Sequence, residues 1–148
     1  RLNAVHGLFE VVPDKIWQLR GYDLSVMTII RGKSGWIVVD PLLSEEAAAA
    51  SWKLFADTVE AKAGKRPIKA VIFSHSHSDH FGGVGGIVTP EQVQRDKIRI
   101  IAPHGFSDEA TAENVLALLV VNDNLRKGAA LNAVQIAESL LARNLIPV

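Results

Sequence analysis

The chain has 148 residues, 48% of them hydrophobic and 22% charged, the composition of an ordinary globular domain with a real core and not of a disordered segment. Lys and Arg number 16 and so do Asp and Glu, so the formal charge is zero and argues against a nucleic acid or an anionic membrane as partner. Cysteine is absent, which excludes disulfides, thiolate metal sites and a cysteine nucleophile and leaves His and carboxylates to hold any metal.

The first third reads as short strands. Leu8 to Val12 and Lys15 to Arg20 flank the turn signal Pro13-Asp14, which predicts a hairpin, and Ile16 and Gln18 alternate with Trp17 and Leu19. Leu24 to Arg31 is rich in β-branched residues and predicts a third strand. Gly32 to Gly35 turns the chain into the apolar run Trp36 to Val39, which Asp40-Pro41 ends. Ser44 can cap a helix that carries Glu45 and Glu46 in its first turn, places Trp52, Phe55 and Val59 on one face, and stops at Gly64. Pro67 to Ser74 has the continuous apolar character of a strand buried on both faces.

Further on, a short polar helix is predicted near Pro90 to Arg95 and a buried strand over Ile98 to Ala102. Ser107, Asp108 and Glu109 open a helix reaching at least Leu116. Leu118 to Val121 reads as a strand, Asn122 to Asn124 as a break, and Leu125 to Arg143 as a last helix with Ala130, Val134, Ala137 and Leu141 on one face. Strands first and then strand and helix in alternation predict an α/β or α+β layered domain. No apolar run approaches the roughly 18–20 residues of a membrane span, and no signal peptide is visible. Opening on Arg1 rather than Met, the chain reads as processed or trimmed.

The stretch that carries chemistry is Ser74-His75-Ser76-His77-Ser78-Asp79-His80-Phe81-Gly82-Gly83, directly after the buried strand. Loops at the carboxyl ends of such strands are where α/β proteins bind ligands. In an extended segment His75 and His77, two apart, point the same way and can grip one ion. Asp79 and His80 follow where the chain bends and can face a second ion. Two metals roughly 3.5–4 Å apart lower the pKa of a bridging water and steady a leaving oxygen. Gly82 and Gly83 let the backbone turn tightly beneath the site. Nitrogen and oxygen donors without sulfur suit Zn, with Fe and Mn as competitors. His104 reads as a surface turn residue, and Glu109 and Glu113, candidate carboxylates by chemistry, are explained by the helix dipole.

The run His75 to Gly83 resembles the signature of the metallo-β-lactamase superfamily. Arg20-Gly21-Tyr22-Asp23-Leu24-Ser25, Gly35 to Leu42, Arg66 to Ile72, Ile100 to Pro103 and Ala112 to Val115 resemble the zinc-dependent alkyl sulfatases within it, over about residues 6 to 116. The resemblance implies an αββα sandwich, two zinc ions, and hydrolysis of primary alkyl sulfate esters by a metal-activated water. It implies His75 and His77 as ligands of the first zinc, Asp79 and His80 as ligands of the second, Asp79 as the catalytic residue, and Asp40 as a group that orients a ligand. It further implies an exported or periplasmic bacterial protein. In that family the site is completed by downstream acidic ligands and a further His, and no His follows His104 here, so the site is expected to be half built.

From about Leu118 the text instead resembles the C-terminal strand and helix of aspartate-semialdehyde dehydrogenase, over Val121 to Glu138, with Asn132 matching a residue that lies near the nicotinamide in that family. Without a Gly-rich dinucleotide loop or a cysteine, dehydrogenase activity is not expected. The expectation is therefore a chimera: residues 1–117 as half of a metallo-β-lactamase-like αββα sandwich, and residues 118–148 as a strand and helix of other origin on the same core. Half a sandwich must hide its sheet by a new packing or by forming a homo-oligomer. Function divides between a zinc hydrolase of sulfate esters with an incomplete site and a non-catalytic scaffold that keeps a metal-binding loop.

Overall fold

The computed structural model describes residues 5–112. Six strands form one sheet in which spatial order follows chain order: β1 Gly7–Val12, β2 Ile16–Arg20, β3 Met27–Arg31, β4 Trp36–Val39, β5 Ile68–Ile72 and β6 Arg99–Ile101. The first three pairings are antiparallel and the last two, β4 with β5 and β5 with β6, are parallel. Parallel pairing needs a crossover. The first is α1 Glu45–Phe55, which runs on through a π-helical turn at Ala56–Glu60 into α2 Ala61–Ala63; the second includes α3 Pro90–Asp96. A last helix, α4, spans Phe106–Ala112. The predicted elements from Leu118 onward, and Glu113 and Asn132 with them, lie outside the described residues.

Local chemistry accounts for the boundaries. The Ser44 hydroxyl accepts from the Ala47 amide at 3.1 Å, with Glu45 and Glu46 in the first turn, as predicted. Thr89 and Gln92 form a reciprocal capping box for α3 with Pro90 at its first position. The predicted strand from Leu24 begins only at Met27. The Asp23 carboxylate accepts from the Leu24 amide at 2.6 Å, and this local bond competes with the ladder and holds the segment as a bend.

Alternation along the strands splits the core. On one face Trp17, Leu19, Met27, Ile29, Trp36 and Val38 pack with Leu42 and Phe55. Trp17, Trp36 and Phe55 meet edge to face, with ring centroids 5.0–5.7 Å apart. The π-helical turn ends on Glu60, which is buried and accepts from the Trp36 indole at 2.6 Å and from the Arg66 amide at 2.9 Å. Val71, Phe73, Val88 and Ile98 extend this side toward Phe81 and Phe106. On the other face Ile16, Ile30, Ile37, Val39, Ala70 and Ile72 form a second cluster. All six are buried.

Candidate functional site

β4 and β5 run side by side with Val39 opposite Ile72, and the Asp40 amide donates to the Ile72 carbonyl at 3.0 Å. Their carboxyl ends therefore release Asp40 and Ser74 next to each other. Asp40 has φ of 53°, a left-handed conformation that Asp tolerates better than most residues. It is followed by Leu42 at φ 69°, a strained value for a bulky residue, and Leu42 is fully buried. This kinked segment seats the site loop. The Gly83 amide donates to the Leu42 carbonyl at 2.8 Å, and a Cβ on Gly83 would lie 2.3 Å from the Pro41 carbonyl oxygen. Only glycine permits so close an approach.

Asp40 is buried and saturated. One carboxylate oxygen accepts from the Ser74 amide at 2.8 Å, and the other accepts from the Ser74 hydroxyl at 2.6 Å and lies 2.9 Å from His80 Nδ1. The Ser74 hydroxyl also meets His75 Nδ1 at 2.9 Å. His75 Nε2 is 3.0 Å from His77 Nδ1, and His80 Nε2 is 3.3 Å from an Asp79 carboxylate oxygen. The His75 ring centroid lies 4.6 Å from that of His77 and 4.0 Å from that of His80. All four predicted residues, and Asp40 behind them, are thus drawn into one cluster.

Among the described residues no three His, Asp or Glu side chains are arranged as a metal-holding group. The donors face each other in pairs instead. His104 is exposed in the turn after β6. Glu109 on α4 accepts from the Ser76 hydroxyl at 3.2 Å, so this carboxylate does more than begin a helix: it braces the back of the loop.

Electrostatics follow the packing. Burial, with the neighbouring His80 and His77, lowers the pKa of His75 below the ordinary imidazole value, leaving it neutral. For His80 burial pulls the same way, but bonds to Asp40 and Asp79 overcome it and raise the pKa to about 9, so His80 is an imidazolium held between two carboxylates. The bond to His80 holds the Asp79 pKa below the usual carboxylate range.

The hydroxyls of Ser25, Ser74 and Ser76 were not singled out by sequence reasoning. For Ser74 and Ser76 a signal existed: Ser and His alternate from Ser74 to Ser78, and in an extended segment the intervening positions face the supporting structure.

The metallo-beta-lactamase superfamily profile matches residues 20–132. A linear primary-alkylsulfatase of a Pseudomonas species is 49% identical over 117 residues, which is 79% of this chain and 17% of that protein. The solved structure of the stereoselective inverting sec-alkylsulfatase from a Pseudomonas species matches with a TM-score of 0.69 at 46% identity, over 78% of this chain and 18% of that one. The chain therefore spans less than a fifth of these sulfatases. A separate 36-residue stretch, 24% of the chain, is 75% identical to aspartate-semialdehyde dehydrogenase of Streptomyces akiyoshiensis, covering 10% of that enzyme. Among the described residues no helix is long and apolar enough to cross a membrane. The mixed sheet, the histidine loop at its parallel strand ends and the profile match agree: the chain belongs to the metallo-beta-lactamase superfamily.

Proposed function

We propose that the 75–80 loop is one half of a metal centre for the hydrolysis of sulfate esters, with His75 and His77 holding one ion and Asp79 and His80 a second, zinc being the metal the donor set suits best. The observation that carries this reading is the convergence of His75, His77, Asp79 and His80 on one cluster at the carboxyl end of β5. His75 and His77 offer nitrogens 3.0 Å apart, and Asp79 and His80 offer oxygen and nitrogen 3.3 Å apart. When bound, the metal would supply Lewis acidity, lowering the pKa of water and offsetting charge that develops on the ester.

The chain's own residues do the rest. His75 is already neutral, the form a ligand needs. Asp40 accepts a hydrogen bond from His80 Nδ1 and leaves Nε2 as the nitrogen that would face a metal after giving up its proton. Asp79 contributes a negative charge beside His80. Two donors per ion are fewer than the three or four of ordinary zinc sites, so the remaining donors come from outside the described residues. Sulfate esters are the substrate class because the similar proteins are named as alkylsulfatases. We read the chain further as a composite, a superfamily half domain over residues 1–117 joined to a strand and helix of dehydrogenase origin over 118–148; support comes from the 36-residue match.

A second reading, a folding unit that keeps the loop without turnover, is favoured by the lack of a three-donor group among the described residues. One experiment separates the two: zinc titration of the 148-residue chain and of its His77→Ala variant, with release of inorganic sulfate from dodecyl sulfate measured at each metal load. Zinc binding that His77→Ala abolishes, with metal-dependent sulfate release, supports the hydrolase. Zinc binding without release leaves the scaffold, and zinc binding that survives His77→Ala overturns the site.

A further inference from the structure

We propose that Ser25 is a positioning residue for the site loop, clamping the peptide unit between Asp79 and His80 from the connector that joins β2 to β3. The proposal rests on the reading of that loop as a metal site. Ser25 is buried, and its hydroxyl donates to the backbone carbonyl of Asp79, 54 residues further along the chain. The amide of the same peptide unit, that of His80, donates to the His77 carbonyl at 2.9 Å. A peptide unit is planar, so holding its oxygen at one end and its N–H at the other leaves only rotation about the line between them, which the chain on either side limits. The same restraint limits the directions in which the side chains of Asp79 and His80 leave the backbone. No other residue outside the loop supplies a hydrogen bond to that carbonyl among the described contacts.

The connector is itself anchored. Asp23 accepts at one carboxylate oxygen from the amides of Leu43 at 3.0 Å and Ser44 at 3.4 Å, and at the other from Leu24. Leu42, next to this anchor, receives the Gly83 amide from the far side of the loop. Connector, α1 entry and site loop thus form a closed frame. Ser25 is the member that touches the loop at Asp79. Its role differs from that of Asp40, which acts on the His80 ring; Ser25 acts on the backbone.

The test compares Ser25→Ala with Ser51→Ala in the 148-residue chain. Ser51 is an equally buried serine on α1 whose hydroxyl makes no hydrogen bond, so its loss controls for removal of a buried hydroxyl. Two quantities are measured: hydrogen exchange at the His80 amide in chelator, and zinc affinity. Loss of one net hydrogen bond predicts exchange faster by about three- to tenfold and zinc binding weaker by a similar factor for Ser25→Ala, with Ser51→Ala matching the parent in both. Unchanged His80 exchange in Ser25→Ala overturns the clamp. Faster exchange with parental zinc affinity overturns its role at the site. Faster exchange in a chain whose parent binds no zinc keeps the clamp and refutes the metal reading instead.

Discussion

Asp40 offers the most demanding test of how the site is held. It is buried and receives three polar contacts, from the Ser74 amide at 2.8 Å, the Ser74 hydroxyl at 2.6 Å and His80 Nδ1 at 2.9 Å. Asp40→Ala strands all three partners. Leaving a buried charge without its counterpart costs about 3–5 kcal/mol, which is a large part of the stability of a domain this size. Asp40→Asn is the informative variant. The side-chain oxygen can keep the Ser74 amide, and Asn accepts the left-handed backbone at this position, so the expected loss is only about 1–2 kcal/mol. Its NH2 group, however, stands where an acceptor stood. Once His80 gives up a proton to take a metal, Nδ1 would have to act as the acceptor, which leaves the remaining proton on Nε2 and blocks that nitrogen as a ligand. Zinc affinity should fall about 10–100-fold while the fold persists. Urea denaturation in chelator measures the first quantity and zinc titration the second. An Asp40→Asn chain that binds zinc within about twofold of the parent would refute the orienting role.

Other outcomes follow from the same contacts. Gly83→Ala places a Cβ 2.3 Å from the Pro41 carbonyl oxygen, and because backbone on both sides must give way it should destabilise by about 1–3 kcal/mol in urea melts; Gly64→Ala meets open space but forces a side chain onto φ of 87° and ψ of 143°, and should cost about 1–3 kcal/mol from backbone strain alone. Glu60→Ala leaves the Trp36 indole and the Arg66 amide without their acceptor and should cost about 1–3 kcal/mol; a parental melting temperature would show that the π-helical turn does not exist to deliver that carboxylate. Phe55→Ala removes the ring that Trp17 and Trp36 meet edge to face, with an expected loss of about 3–5 kcal/mol by chemical denaturation and a shifted tryptophan emission. Glu109→Gln keeps an acceptor for the Ser76 hydroxyl and should leave zinc affinity near parental; a large loss would mean that Glu109 is itself a ligand.

Much of this arrangement was legible in the residues, and the remainder shows where such reading fails. The hairpin at Pro13-Asp14, the Ser44 cap and the strand before Ser74 follow from turn chemistry, capping and continuous apolar character, each of which acts over a few positions. The histidine loop stood out because its residue types are rare together. The contact of Ser25 could not be found in this way: the residue lies in a stretch that carries the resemblance, but its partner is 54 residues away and no local signal links the two. The bend at residues 21–25 was hidden by β-branched neighbours, since the Asp23 side chain, not its propensity class, ends the ladder. Glu60 reads as one more exposed helical charge until the π-helical turn carries it inward beneath Trp36. Leu42 in a left-handed conformation contradicts every local preference and is held there by its burial and by Gly83.

The pairing of β4 with β5 has a thermodynamic consequence. Asp40 belongs to one of these strands' ends and the Ser74 to His80 loop to the other, so the site exists only while this pair of strands is zipped together at Val39 and Ile72. Any ligand of the loop whose donors Asp40 must orient is bound by the native ensemble far more tightly than by the unfolded one. Occupancy and melting are then the same equilibrium viewed from two ends: at a free concentration one hundred times its dissociation constant, such a ligand deepens the native well by about 2.7 kcal/mol. Raising the temperature until β4 and β5 part would release it in the same cooperative step that melts the tryptophan core.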